Sequence, residues 1–398
     1  MSFIATLILI ISVIGAVRVP VGMLPLQVSF GYGAFNFFGQ TLAVPFAVIS
    51  AALMVLDIVG IGHAFWPAFG ALLMSLVNIG IALRGGQVLL EAVGAGDRYQ
   101  ELKSDALRTA LNPFKRGKPG VEKITGLSYG DAGWRNQLDL YRPKNLPDGP
   151  MPILIHVHGG AWVIGQKDQQ AQPLIQHMAS KGWLVADINY RLGPKNRFPT
   201  LIEDVLRAIH WMKQNAAQYG GNPEFVAITG GSAGGHLTAL ATLKHDHAPF
   251  KTGFESADCS VQASIPVYGK FDLLDTLPHL EGDGPGFTQF MEERALPPYA
   301  EDPDLWQNCS PLANARADAP PMMIIQGEHD ILIPFREADA LAIAMKSISQ
   351  NTVIHAHLPG AQHAYDVLNG PVTPFHVAAI ETFLDDVRDG GLSQQSAY

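Results

Sequence analysis

Charge is nearly missing from the start of this 398-residue chain: between positions 1 and 83 the only formally charged side chains are Arg18 and Asp57. From Arg84 onward charge returns at the density of a soluble protein, so the break marks a boundary between two kinds of structure. Cysteine is scarce as well. Cys259 and Cys309 cannot build a disulfide framework and their spacing fits no zinc pattern, so they read as unpaired thiols of a reducing compartment. Basic charge is short too: a net charge of -9, with no basic run interleaved with aromatics, excludes a surface that tracks the phosphates of a nucleic acid. No internal repeat or low-complexity segment is present.

The uncharged region contains three apolar stretches, residues 3–17, 42–59 and 65–83. The last two approach the roughly 20 residues that a helix needs to cross a bilayer. The first is short, lacks a basic n-region and has no A-x-A-like cleavage site, so it reads as a retained anchor rather than a signal peptide. Residues 1–84 are therefore expected to form two or three transmembrane helices. Three spans would put Arg18 and Arg84 on one side and leave the rest of the chain in the cytoplasm. A buried hairpin, or an amphipathic cap lying on the remaining protein, is the alternative for these helices. Residues 85–120 form a polar, helix-favouring connector or cap, closed by the breakers Asn112-Pro113 and Lys118-Pro119-Gly120.

Residues 121–390 read as an α/β domain, with 391–398 a tail. Extended runs at 121–129 and 136–141 flank Gly130-Asp131-Ala132-Gly133 and predict an antiparallel hairpin. After it, apolar runs at 152–157 and 183–188 enclose a helical segment at 169–180, and strand, helix, strand implies parallel neighbours. Leu201, Ile202, Val205, Ala208, Ile209 and Met212 recur at helical spacing, giving a helix with one face on a sheet. Strands at 225–229, 261–267, 322–326 and 352–358 alternate with helices at 233–244, 335–347 and 375–387, a doubly wound, mostly parallel layout. Residues 277–312, rich in Pro, Gly and acidic side chains and without periodicity, read as an irregular lid.

Gly230-Gly231-Ser232-Ala233-Gly234 is a G-x-S-x-G sequence between a predicted strand and a predicted helix. In that context the glycines remove the Cβ atoms that would collide in a sharp turn, and Ser232 stands exposed as a nucleophile. His158-Gly159-Gly160-Ala161-Trp162 follows the strand at 152–157, where the N–H groups of Gly159 and Gly160, with that of Ala233, would hold an oxyanion. A serine hydroxyl needs a base and an orienting carboxylate, in chain order Ser, Asp/Glu, His for such a layout. Asp330 follows the strand at 322–326 and His363 the strand at 352–358. Glu328 competes as the acid, and His355, His357 and His376 as the base; position favours Asp330 and His363.

Taken together, the His158 to Trp162 motif, the Gly230 to Gly235 motif and Gln326-Gly327-Glu328-His329-Asp330 resemble the hormone-sensitive-lipase-like esterases and lipases, over residues 121–388. Asp187-Ile188-Asn189-Tyr190-Arg191-Leu192 is similar to a core stretch of that family, which implies that Tyr190 and Arg191 brace the site. Bacterial membrane-associated esterases within the family have a hydrophobic N-terminal segment of this kind. The resemblance implies an α/β-hydrolase fold, hydrolysis of a small-molecule or lipid carboxylic ester through an acyl-enzyme, and no metal or organic cofactor. An amidase or peptidase on the same fold, and a binding protein with a disused site, are the competing functions.

Overall fold

The computed structural model describes residues 1–17, 26–277 and 285–391. The chain divides into two compact units: one combines Met1–Arg116 with Gln326–Phe335 and Ala356–Ala379, the other Gly117–Ile325 with Arg336–His355 and Ile380–Tyr398.

The first unit is built on five helices: α1 (Ser2–Ala16), α2 (Leu26–Thr41), α3 (Ala43–Ile58), α4 (Phe65–Ala92) and α5 (Tyr99–Ala110). Their interior is rich in small and polar side chains, with a few larger apolar ones such as Ile8, Leu53 and Leu89. Ser12, Gly15, Asn36, Gln40, Ser50, Ala68, Ala71, Ser75 and Asn78 are buried, and hydrogen bonds cross between helices from Asn36 Nδ2 to Ile14 O (2.7 Å) and from Asn78 Nδ2 to Ser12 O (2.8 Å). Gly39 lets α2 press on α1, since a Cβ there would lie 2.5 Å from Ile11 O. The large apolar side chains face outward, with Phe3 78%, Ile58 71% and Trp66 76% exposed. Asp57 accepts a hydrogen bond from Phe65 N (2.7 Å) and so caps α4 from a distance, where Ala64 offers no side chain to do it.

The apolar stretches at 3–17 and 42–59 form α1 and α3, of 15 and 16 residues, too short to span at about 1.5 Å per residue. Among the described residues only α4, with 28 residues, is long and apolar enough by itself; the end of α2 and α3 qualify together but bend by 75°. By length and composition the described residues thus hold one helix able to span, or two with the bent pair, instead of the two or three expected. Arg18 lies outside the described residues. Helix α4 also runs past the expected boundary at residue 84: Gly86 takes the ring of Phe375, whose Cδ2 would stand 2.2 Å from a Cβ, and Leu90, Ala95, Ala106, Phe375 and Ala378 form a small core there.

The second unit carries an eight-stranded sheet, β1 (Val121–Ser128), β2 (Gln137–Pro143), β3 (Met151–Val157), β4 (Leu184–Ile188), β5 (Gly221–Gly231), β6 (Ala263–Val267), β7 (Met322–Gly327) and β8 (Val353–Leu358), in the order β1-β2-β4-β3-β5-β6-β7-β8. β1 and β2 form the expected hairpin, β2 is antiparallel to β4, and β4, β3, β5, β6 and β7 run parallel. Helices α6 (Gln172–Ser180), α7 (Thr200–Asn215), α8 (Ala233–Leu243), α11 (Phe335–Ile348) and α12 (Thr373–Arg388) alternate with the strands. Because helices cover the sheet, β4, β6 and β7 are buried along their whole length, which is why they read as unbroken apolar runs. The C-terminal ends of β7 and β8 pass into the first unit, and with them the segments that hold Asp330 and His363.

The region expected to be an irregular lid contains two helices, α9 (Pro285–Arg294) and α10 (Pro303–Cys309), while 278–284 fall outside the described residues. The end of α9 is held by a distant side chain: the Arg197 guanidinium donates to the carbonyls of Glu292 (2.8 Å), Glu293 (3.1 Å) and Leu296 (2.8 Å), which would otherwise be left unpaired there. Met291, Leu296 and Trp306 are buried in the main core of the unit, so this segment is packed rather than loose.

Candidate active site

Ser232 sits alone between the last residue of β5 and the first of α8, at φ 59° and ψ -123°. That positive φ is costly for a side chain with a Cβ and persists only where the surroundings impose it. Here they do. A Cβ on Gly230 would lie 2.5 Å from Val157 O, and one on Gly234 only 2.0 Å from the same oxygen, so β5 and α8 close on β3 only with glycine at both places. Ser232 N donates to Val267 O (3.0 Å), which fixes the turn against β6.

The His158 loop reaches the same turn. A Cβ on Gly159 would stand 3.1 Å from Ser232 Cβ and 2.6 Å from Gly231 O. Gly160, Ala161 and Trp162 follow at φ 127°, 50° and 60°. The three sequence-predicted oxyanion donors do not fare alike. Gly159 N is already committed, donating to Gln170 Oε1 at 2.8 Å. The N–H groups of Gly160 and Ala161 have no protein acceptor among the described residues, and Ala233, at the first position of α8, carries one of the N–H groups a helix start leaves open. Gly159 therefore contributes close approach while its N–H is taken, and Ala161, not among the donors expected from the motif, joins the open N–H groups. Its signal was available only as adjacency to Gly160.

Two buried histidines hold this arrangement. His236 on α8 accepts from Trp162 Nε1 (3.3 Å) and its Nε2 meets Cys309 O at 2.8 Å, which assigns the proton to Nε2. His158 bonds Gly159 O through Nδ1 (2.8 Å) and stacks on Tyr190 at 4.4 Å, while Tyr190 OH donates to His158 O (3.0 Å). Arg191 pairs with buried Asp204 through Nε and Nη2 (2.9 and 2.7 Å). Tyr190 thus braces the loop, while Arg191 is tied to α7. Burial pushes His236 down to about 4 and His158 down to about 3 from 6.5. Both are neutral in the folded chain, whereas an unfolded chain protonates them below about 6.5, so unfolding in acid takes up protons. Stability is expected to hold above pH 6.5 and to fall as the pH drops through about 4, as read by thermal unfolding across that range, and His236→Gln should flatten part of the dependence. An unchanged slope in that variant would count against His236 as a contributor.

In the first unit, Asp330 and His363 form one tight pair, His363 Nδ1 to Asp330 Oδ2 at 2.6 Å, with the Asp330 side chain wholly buried and that of His363 10% exposed. Asp330 is held from three more directions: Oδ1 accepts from Leu332 N and Ile333 N (both 2.9 Å), and Oδ2 from Gln326 Nε2 (3.0 Å). The competing histidines are engaged elsewhere. His376 meets Tyr365 OH at 2.9 Å, His357 packs edge-on against Phe335, and His355 lies 3.7 Å from Asp339.

This sheet order, with a strained serine at a strand-to-helix turn and an Asp–His pair after later strands, defines an α/β-hydrolase. The profile of the BD-FAE family matches residues 138–345, and the chain belongs to that family. It is 39% identical over 263 residues, 66% of its own length, to the probable carboxylic ester hydrolase LipM of Mycobacterium tuberculosis (strain ATCC 25618 / H37Rv), and 39% identical over 263 residues to the esterase LipQ of the same strain. The matches span 60% and 62% of those relatives. Among solved structures, esterase B from Lactobacillus rhamnosis (HN001) superposes with a TM-score of 0.59 at 21% identity, over 77% of this chain and 97% of that one, a likeness of fold.

Proposed function

We propose that the chain is a serine carboxylic-ester hydrolase held at a lipid bilayer by the helices of its first unit. The observation that carries the hydrolase reading is Ser232 at its strained turn with the Gly159–Gly160 loop packed on it. Ser232 Oγ attacks the ester carbonyl carbon while His363 takes the hydroxyl proton, and Asp330 keeps the imidazole proton on Nδ1 and stabilises the imidazolium. The N–H groups of Gly160, Ala161 and Ala233 receive the oxyanion. The tetrahedral intermediate collapses, His363 protonates the departing alcohol, and water, deprotonated by the same imidazole, releases the acid from Ser232. The relatives named as ester hydrolases support an ester over an amide.

Membrane attachment is supported by the pattern of the first unit, where Ser12, Asn36, Ser50, Ser75 and Asn78 are buried while Phe3, Ile58, Leu76 and Trp66 are exposed. In water that arrangement leaves large apolar side chains of α1, α2, α3 and α4 exposed, the kind of surface that marks a membrane or partner site. In lipid it is the normal solution, because helices there associate through small residues and interhelical hydrogen bonds. The test is a p-nitrophenyl ester series from acetate to palmitate, assayed on the full chain purified from membranes in detergent, with alkaline carbonate extraction of those membranes. Ester turnover by protein that resists extraction is expected. Release of the chain by carbonate would overturn the anchor, and absence of turnover across the series the hydrolase.

A further inference from the structure

We propose that Gln40, on an N-terminal helix, is a positioning residue for the catalytic histidine, an inference that rests on the ester-hydrolase reading above. The loop that brings His363 out of β8 is Pro359-Gly360-Ala361-Gln362, and it turns at Gly360, φ 69°. One side of the loop is tied to the segment of the catalytic acid: His329 N donates to Ala361 O at 3.0 Å. The other side faces α2, where a single side chain pairs with two further backbone groups of the loop. Gln40 Nε2 donates to Gly360 O (2.6 Å), and Gln40 Oε1 accepts from Gln362 N (3.2 Å), the residue just before His363.

The orientation of that amide is itself fixed. Gln40 Nε2 also donates to Gly15 O (3.0 Å) near the end of α1, so a flipped amide would face its oxygen toward two carbonyls and its nitrogen toward an N–H. Ile81 of α4 completes the clamp, lying so close to Gly360 that a Cβ there would be 2.4 Å from Ile81 Cγ2. Gly15, Gln40 and Ile81 all come from helices whose other faces carry the exposed apolar side chains. The helices read as an anchor thus also set the backbone on which His363 stands. Loss of the amide leaves a buried C=O and a buried N–H without partners, and the loop moves to find others. A shift of about 1 Å in a proton-transferring group is enough to cost up to about 10²-fold in rate.

The experiment is steady-state kinetics of the full chain in detergent for wild type, Gln40→Met and Ser232→Ala. Methionine keeps the volume of glutamine and removes both hydrogen-bonding ends. The expected result is a kcat lower by about tenfold or more with KM within about twofold, since substrate contacts are untouched and only the reacting geometry changes. A Gln40→Met chain with wild-type kcat, beside a wild type whose turnover depends on Ser232, overturns the inference and leaves the hydrolase standing. A wild type without Ser232-dependent turnover overturns both. If Gln40→Met does not fold, Ile81→Ala takes its place, as it loosens the same loop while keeping the glutamine: a several-fold lower kcat at constant KM upholds the inference, and an unchanged kcat overturns it.

Discussion

Ser232→Ala is expected to lower kcat/KM for a p-nitrophenyl ester by about 10⁵-fold while leaving the fold intact, the pattern seen when an acyl-transfer enzyme loses its nucleophile. The two halves of that expectation have separate causes. Activity falls because no other hydroxyl replaces Oγ at the turn; what remains is the contribution of open N–H groups and substrate binding, about 10³-fold over water. The fold survives because the strain at φ 59° is set by the Cβ, which alanine keeps, and because the backbone bond from residue 232 to Val267 O does not involve the side chain. Initial rates on the purified variant, with its thermal midpoint alongside, check both. Residual turnover above about one part in 10² would remove Ser232 from the role of nucleophile.

The parts of this molecule that the sequence made legible are those where local chemistry and local geometry coincide. Glycine at 230 and 234 around a serine, directly after a β-branched and apolar run, has one structural use, and the clash distances to Val157 O explain why. Buried parallel strands such as β6 and β7 announce themselves because both faces must be apolar. Helix α2 stayed hidden for the opposite reason. Gly31, Gly33, Asn36, Gly39 and Gln40 dilute its hydropathy, and Asn36, Gly39 and Gln40 turn inward, a pattern that suits a helix whose outer face is the greasy one. Helices α9 and α10 are short, and α9 relies on Arg197, nearly a hundred residues away, to satisfy its end. The commitment of Gly159 N to Gln170 was equally beyond reach, because a side chain eleven positions downstream decides it. No periodicity records that residues 326–335 and 356–379 cluster with the N-terminal helices instead of with the sheet that launches them. That grouping turns an apparent appendage into the surroundings of Asp330 and His363.

Asp330→Asn should lower kcat by about 10⁴-fold at neutral pH, with a small change in stability, because the surroundings of Asp330 dictate how an asparagine must sit. Oδ1 receives two backbone N–H groups, from Leu332 and Ile333, neither of which can turn into an acceptor. The asparagine carbonyl oxygen must therefore occupy that place, and the fold keeps both bonds. Its NH₂ then falls where Oδ2 lies, 2.6 Å from His363 Nδ1, and donates to that nitrogen. Nδ1 becomes an acceptor, the single proton of the neutral imidazole moves to Nε2, and the ring can no longer take a proton from a serine hydroxyl. The same NH₂ also meets Gln326 Nε2 donor to donor, a contact that Gln326 can relieve through its weaker bonds to Gly327 O (3.3 Å) and Ile333 O (3.4 Å). The loss is thus one of tautomer rather than of structure, and Glu328→Gln, at the competing carboxylate, should leave kcat within about twofold of wild type. Rate measurements on the two variants side by side decide between the carboxylates: a loss of less than tenfold in Asp330→Asn, or a large one in Glu328→Gln, would move the orienting role away from Asp330.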